Sequence, residues 1–400
     1  MTILRTSSNA FDWRADKVDW PVTTDVGPGL AGVVAAETRV MWLDPSSGQL
    51  AYRGVAIEAL ATVHDFEEVA FLLVTGREPG NNPEELGEFR RRLRASRDLP
   101  PPVLDLIRGL DPSTHPTRML RAGVSALGCH ELSVDDDLAG DRHWRELHVV
   151  GQVASLVGEI CRHLRGLGPL VPGADQSLAE GLLTALGDRT PLSEEVRALD
   201  LLWVLYAVHG LDAPTFTSMV VASCLADPYY NIVAGLSALR GPKTGGASEE
   251  VLKQVLPLRD PTEAERWVER TVAAGGIIAG FGHRAYHMPD PRVVILRKEV
   301  AAIARSRNQG SLFEIARAVE SAATRALAPK GVFININFYG ALLFHLLGAG
   351  ASLGPCLFAV GRMAGMVALV REALDTIRLY RPLSRYVGVA ERDLDTGNPP

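Results

Sequence analysis

The feature that most constrains this chain is its punctuation. Beyond residue 28, a capping residue is followed by apolar positions three and four apart and then by glycine or proline, again and again. A segment with that period buries one stripe and must pack that stripe against other helices. Asp65 with Glu68 reads as a capping box before VAFLLV, and Gly76 stops that helix. Asp260, Pro261 and Glu263 open a helix that runs to Gly275, and Ser311 with Glu314 opens one that ends before Pro329. Asp290 and Pro291 start PRVVILRKEVAAIA, Ser193 caps SEEVRALDLLWVLYAVHG, and Ser248 caps the segment after GPKTGG. Strand-like alternation is confined to VVAAETRVMWL and QLAYRG, so the expected class is all-α with at most one small hairpin.

Composition bounds the rest. Of 400 residues 47% are apolar and 22% charged, which is enough apolar chain to bury a large core. Cys129, Cys161, Cys224 and Cys356 lie among apolar neighbours without C-x-x-C spacing, and the expectation is four buried, reduced thiols. The net charge of −6 offers no basic face to a polyanion, so nucleic acid is not an expected partner. Arginine supplies 36 of the 41 basic residues, and Arg90, Arg91, Arg92, Arg94 and Arg97 read as a surface cluster. The start MTILRTSSNAFDW lacks a secretory pattern, and no run of 18 uncharged apolar residues occurs. A cytoplasmic protein that does not enter membranes is expected. Residues 1–28, with Trp13 and Trp20, read as an extension.

Three segments look unlike packing or ordinary turns. GFGHRAYHMPDPR, from Gly280 to Arg292, crowds His283, Arg284, His287 and Arg292 around two glycines before a helix start, where backbone can approach an anionic ligand. AVHGLDAPTF places His209 at a helix end, three residues before Asp212. GPKTGG is a glycine-bounded turn. No H-E-x-x-H metal spacing, P-loop or G-x-S-x-G elbow occurs, and no metal site is expected. What remains is a set of histidines and arginines suited to a small carboxylate-rich substrate. His163 and His345 sit on apolar helix faces, and His64, His115, His130, His143 and His148 join no recognisable constellation.

GFGHRAYHMPDPR resembles the G-F-G-H-R-x-Y-x-x-x-D-P-R signature of citrate synthases. GLAGVVAAETRV, LDPSSGQLAYRGVAIEAL, HPTRMLRAGVSALG, TFTSMVVASCLADPY and RPLSRYVG follow the family's order along nearly the whole chain. The resemblance implies an all-α, two-lobed homodimer, with a small lobe over 245–342 and a large lobe over 29–244 plus 343–400. It implies condensation of an acyl-CoA with a 2-oxo acid, usually oxaloacetate, in a cleft that closes over both. It also implies that His209, His283, Arg292 and Arg362, with Arg381 from the other subunit, hold the oxo acid. Gly280, Phe281, Gly282, Arg284 and His287 would lie at the CoA cosubstrate, with no tightly bound cofactor.

The other half of the site departs from the family. The histidine of G-P-x-H-G-G is Thr244 here, and the acid of N-V-D-F is Asn337. An amide cannot accept a proton as a carboxylate does, and a threonine supplies no imidazole. A general base is worth roughly 10²–10⁴-fold, about 3–5 kcal/mol of barrier. H-E-x-N-A-S reads His209-Gly210-Leu211-Asp212-Ala213-Pro214, and a tryptophan after the Arg362 motif is Met366. Three readings follow. In the first, C–C bond formation persists with altered enolisation at Thr244 and Asn337, using Asp212, Lys243, a substrate carboxylate or a decarboxylating donor. In the second, a CoA-independent lyase, hydrolase or decarboxylase acts on a 2-oxo dicarboxylate. In the third, the chain is a non-catalytic binding or regulatory homologue. Bland roles also exist: Thr244 satisfying its turn, and Asn337 capping NFYGALLFHLLG.

Overall fold

A computed structural model describes residues 28–30, 33–130, 142–170, 173–376 and 378–382. The expected extension lies outside the described residues except for Pro28, as does RPLSRYVG beyond Pro382. Three short antiparallel strands, β1 (Met41–Leu43), β2 (Leu50–Tyr52) and β3 (Val55–Ala56), precede the helices, with Trp42 opposite Ala51 and Tyr52 opposite Val55. VVAAETRV itself is not a strand, and β3 completes a meander where a single hairpin was expected.

Sixteen α-helices follow among the described residues: α1 (Ile57–Val63), α2 (Phe66–Thr75), α3 (Pro83–Ala95), α4 (Pro101–Gly109), α5 (Pro116–His130), α6 (Arg142–Leu164), α7 (Leu178–Gly187) and α8 (Ser193–Tyr206). The remainder are α9 (Ala213–Ser223), α10 (Pro228–Leu239), α11 (Ala247–Val255), α12 (Pro261–Ala273), α13 (Arg292–Ser306), α14 (Gly310–Leu327), α15 (Asn337–Leu346) and α16 (Gly354–Thr376).

The strongest caps are where the residues put them. Asp65 and Glu68 close a reciprocal box on α2, and Gly76 ends it at φ 73°. Asp260 accepts the Glu263 N–H, while the Glu263 carboxylate reaches back to the N–H of Arg259 and not to that of Asp260. Three serines assigned to caps lie just inside their helices. Ser193 is the first residue of α8, where Glu195 accepts the Leu192 N–H, and Ser311 is the second residue of α14. Ser248 is fully buried in α11 and donates to the Gly245 carbonyl. The N-cap positions fall to Leu192, Gly246 and Gln309, and none of these makes a side-chain cap hydrogen bond.

α16 forms the centre of the core, buried without interruption from Gly354 to Val370 and packed against α2, α6, α8 and α9. It is apolar and long enough to cross a membrane, but the segment in question is entirely covered by other helices, as a central core helix must be. Helices α11 to α15 pack largely on one another, through α12 with α14, α13 with α15 and α11 with α15, and α13 and α15 also rest on α8. Two expectations fail at the surface. Cys129 and Cys224 are exposed, and only Cys161 and Cys356 are buried. Arg97 is 5% exposed and donates to the carbonyls of Arg94, Gln176 and Gly173, so it ties α3 to the chain before α7 and is not a solvated charge.

Candidate active site

Two glycines bring α16 against the end of α8. A Cβ at Gly365 would stand 2.2 Å from the Ala207 carbonyl oxygen and 2.4 Å from the Val208 Cβ; one at Gly361 would stand 2.7 Å from Trp203 Cδ1. Only hydrogen fits there. The Gly365 N–H donates to the Ala207 carbonyl at 3.1 Å. Arg362, between these glycines, is thereby carried to the turn that holds His209.

The 280–292 loop is stitched to the segment before α15. Gly280 has φ 80°, and a Cβ there would meet the Phe338 Cβ at 2.7 Å, so both backbone conformation and space require glycine. Gly282 donates to the Phe333 carbonyl (2.7 Å), Asn335 donates from its N–H to Gly280 (2.8 Å) and from Nδ2 to Gly282 (2.8 Å), and Asp290 donates to Ile334 (3.1 Å). Phe281 bridges Ile334.

Within this loop His283 is oriented by backbone. Its Nδ1 accepts the N–H groups of Ala285 (3.0 Å) and Tyr286 (2.8 Å), which places the ring proton on Nε2. That Nε2 lies 2.9 Å from Nε2 of His209. His283 is then the donor and His209 the acceptor, leaving the His209 proton on Nδ1, where no partner meets it. Burial, then the charge of Arg292, pushes His283 down to about 4, against a smaller opposing effect of Asp290. Burial followed by Arg292, His283 and Arg362 holds His209 well below the ordinary histidine value. Both rings are neutral at pH 7. The Tyr286 ring packs against both, with centroids at 4.6 and 5.5 Å, and its buried hydroxyl has no hydrogen-bond partner.

The two buried arginines nearest the histidine pair carry internal counter-ions. Arg292, 2% exposed, donates from Nε (2.9 Å) and Nη2 (2.7 Å) to the two oxygens of Asp290 and from Nη1 to the Leu205 carbonyl (3.0 Å). Asp290 also accepts the N–H of Arg292 and of Ile336. Arg362, 4% exposed, lies with Nη1 2.9 Å from Asp212 Oδ2. The pair is close but poorly aligned, so Nε and Nη1 have no hydrogen bond. Asp212 Oδ1 caps α9 by accepting the Thr215 N–H at 3.0 Å. The Arg362 guanidinium also lies 5.0 Å from the Phe358 ring centroid.

The remaining candidates differ in placement. The Thr244 hydroxyl lies 2.9–3.0 Å from the carbonyls of Ala238, Leu239 and Gly241, so its one proton is directed to the end of α10. Asn337 opens α15, but Asn335 accepts its N–H at 3.0 Å and supplies the cap. The capping role expected for Asn337 therefore belongs to Asn335, and the Asn337 carboxamide oxygen is buried without a partner. Arg284, His287, Lys243 and Arg381 are exposed. Arg284 approaches Gly29, and Tyr380, beside Arg381, docks its ring on Phe216 of α9. Residue reading overlooked Tyr286 and Asp290; both stand at fixed letters of the G-F-G-H-R-x-Y-x-x-x-D-P-R pattern, which was the available signal.

The buried orphan atoms of His209, Tyr286, Asn337 and Arg362 lie on the elements just described. Buried polar groups are rarely left unpaired outside functional sites. Among the described residues such atoms also occur elsewhere, at Arg90, Arg94, Arg108, Ser155, Glu299 and Arg307, so they do not by themselves define a site.

The family model for the citrate synthase C-terminal domain matches residues 29–383. Citrate synthase of Saccharolobus solfataricus is 32% identical over 91% of this chain and 96% of its own length. 2-Methylcitrate synthase 2 of Corynebacterium glutamicum is 33% identical over 93% and 97%. The solved ternary complex of Thermoplasma acidophilum citrate synthase with carboxymethyl coenzyme A and oxaloacetate superposes with a TM-score of 0.87 at 28% identity, covering 92% of this chain and 98% of that one. Fold, motif order and full-length similarity agree: the chain belongs to the citrate synthase family.

Proposed function

We propose that this protein joins an acyl-CoA thioester to a 2-oxo acid, oxaloacetate or a related one, by C–C bond formation with altered enolisation. The observation that carries the reading is His283. A neutral imidazole locked by two backbone donors holds its Nε2–H in a fixed direction, toward His209 Nε2; turned onto a keto oxygen, it is the group needed to polarise that oxygen as negative charge develops on it. In the reaction, the enolate carbon of the thioester attacks the keto carbon and the keto oxygen takes a proton. Water then cleaves the thioester, releasing the free CoA thiol and a carboxylate product.

The base is the altered part. Asp212 has one oxygen on the α9 cap and the other on Arg362, Asn337 is an amide, and the Thr244 proton faces backbone. A donor that makes its enolate by losing CO₂ needs none of them, and this is the reading we favour. Residues 245–342 would act as a small lobe closing on the large one, with Gly280, Phe281, Gly282, Arg284 and His287 at the CoA. A homodimer would supply Arg381 across the interface; support for such an interface is the α9–α10 face, where Leu225 is 60% and Tyr230 68% exposed.

The test is release of free thiol from acetyl-, propionyl- and malonyl-CoA, each with a panel of 2-oxo acids. Thiol release that depends on the oxo acid is expected, fastest with malonyl-CoA. Silence across the panel, with oxo-acid binding confirmed by calorimetry, would overturn the proposal, and turnover with acetyl-CoA alone would remove its decarboxylative part.

A further inference from the structure

The charge balance at the oxo-acid site differs from what three clamp arginines suggest. Arg292 is matched by Asp290, which is fully buried against it. Arg362, the second buried guanidinium, is matched by Asp212 at 2.9 Å. His209 and His283 are neutral, and the Tyr286 and Asn337 groups carry no charge. The positive and negative groups that this chain places around the histidine pair therefore cancel. Where the family pattern has a neutral asparagine in H-E-x-N-A-S, this chain has Asp212. The family's glutamate is Gly210 here, so the motif's one negative charge stands instead at Asp212, on the guanidinium that would otherwise face a substrate carboxylate.

We propose that Asp212 is a resident counter-ion for Arg362 and makes the oxo-acid site selective for 2-oxo acids that bear a single carboxylate. This rests on the functional reading above. A second substrate carboxylate arriving at the buried Arg362 would meet the half-buried Asp212 carboxylate, and like charges side by side are costly. A methyl or methylene group in that place meets no such repulsion. The lone carboxylate of such a substrate would be matched by one cation, the role assigned to Arg381 of a second copy. Asp212 is held in place from the other side by the Thr215 N–H, so the pairing does not depend on ligand.

The experiment compares 2-oxobutyrate with oxaloacetate, four-carbon acids that differ by a methyl in place of the distal carboxylate. Binding to the full chain is measured by calorimetry without CoA. The wild-type protein is expected to bind 2-oxobutyrate about tenfold or more tightly than oxaloacetate. Asp212→Asn retains an N-cap acceptor and is expected to tighten oxaloacetate by about tenfold while moving 2-oxobutyrate by less than about threefold. A general loss of packing would weaken both acids alike and could not invert their ratio. Wild-type protein that binds oxaloacetate as tightly as 2-oxobutyrate overturns the inference while leaving the functional reading intact. An unchanged ratio in Asp212→Asn does the same. Binding of neither acid fails the functional reading and the inference with it.

Discussion

At the scale of single residues, backbone contacts decide what His283 and Thr244 can do. His283 is a donor at Nε2 because two N–H groups occupy its Nδ1. Thr244 is turned away from such a role because three carbonyls surround its hydroxyl. Removing that hydroxyl in Thr244→Val is expected to cost about 1–2 kcal/mol, read from urea denaturation, with Thr244→Ser retaining most of the stability. Undiminished stability in the valine variant would show that the α10 end does not need the hydroxyl.

The histidine pair also makes a pH prediction. Both side chains are disfavoured as cations in the fold, while an unfolded histidine titrates near 6.5. Below that value the unfolded chain binds more protons than the folded one, so stability rises with pH across this window. The contribution is complete above pH 6.5 and is lost as pH falls toward about 4, the value to which His283 is pushed. Thermal melts from pH 7.5 to 4.5 should show a steeper acid loss in the wild-type protein than in the His209→Gln/His283→Asn variant. Parallel curves would refute the assignment of neutral rings.

At the scale of elements, the seam between α8 and α16 does the positioning. Gly365→Ala would drive a methyl into the Ala207 carbonyl and the Val208 side chain. Backbone on both sides leaves little room to relax, and the expected cost is about 3 kcal/mol by chemical denaturation. The substitution should also weaken oxo-acid binding, since Arg362 rides on the same turn of α16. A variant as stable as the parent would mean that the helices separate without penalty.

Helix existence was legible because amphipathic period and caps are local: Asp65, Glu68 and Gly76 bracket α2 as their chemistry requires. Ser193, Ser248 and Ser311 were less legible, since a hydroxyl one position inside a helix reads the same in sequence as one at its cap. Asn337 and Asn335 show the same limit. Either can accept an N–H at the start of α15, and only the path of the preceding chain along the 280–290 loop selects Asn335.

At the scale of the whole molecule, the proposed dimer is testable by light scattering. Twice the chain mass of 43.1 kDa is expected, and Leu225→Asp/Tyr230→Asp should shift it toward one chain. Arg381→Ala should leave the mass unchanged and weaken oxo-acid binding about tenfold or more, the cost of removing a charged partner. A monomer at micromolar concentration would remove the shared-arginine part of the proposal.

The sequence by itself determined the helical class, the order of the motifs and the residue types of the proposed site, with Thr244 and Asn337 read by resemblance at the positions of the family's His and Asp. Those properties are carried by neighbours within a few residues, or by the letters themselves. Only the tertiary structure decided which group faces which. His209 meets His283 across 74 positions. Asp212, read from sequence as one of several possible bases, lies on Arg362 across 150 positions because two glycines let α16 touch α8. Such pairings depend on close packing between distant segments, which no local period encodes, and they fix the charge that a substrate meets.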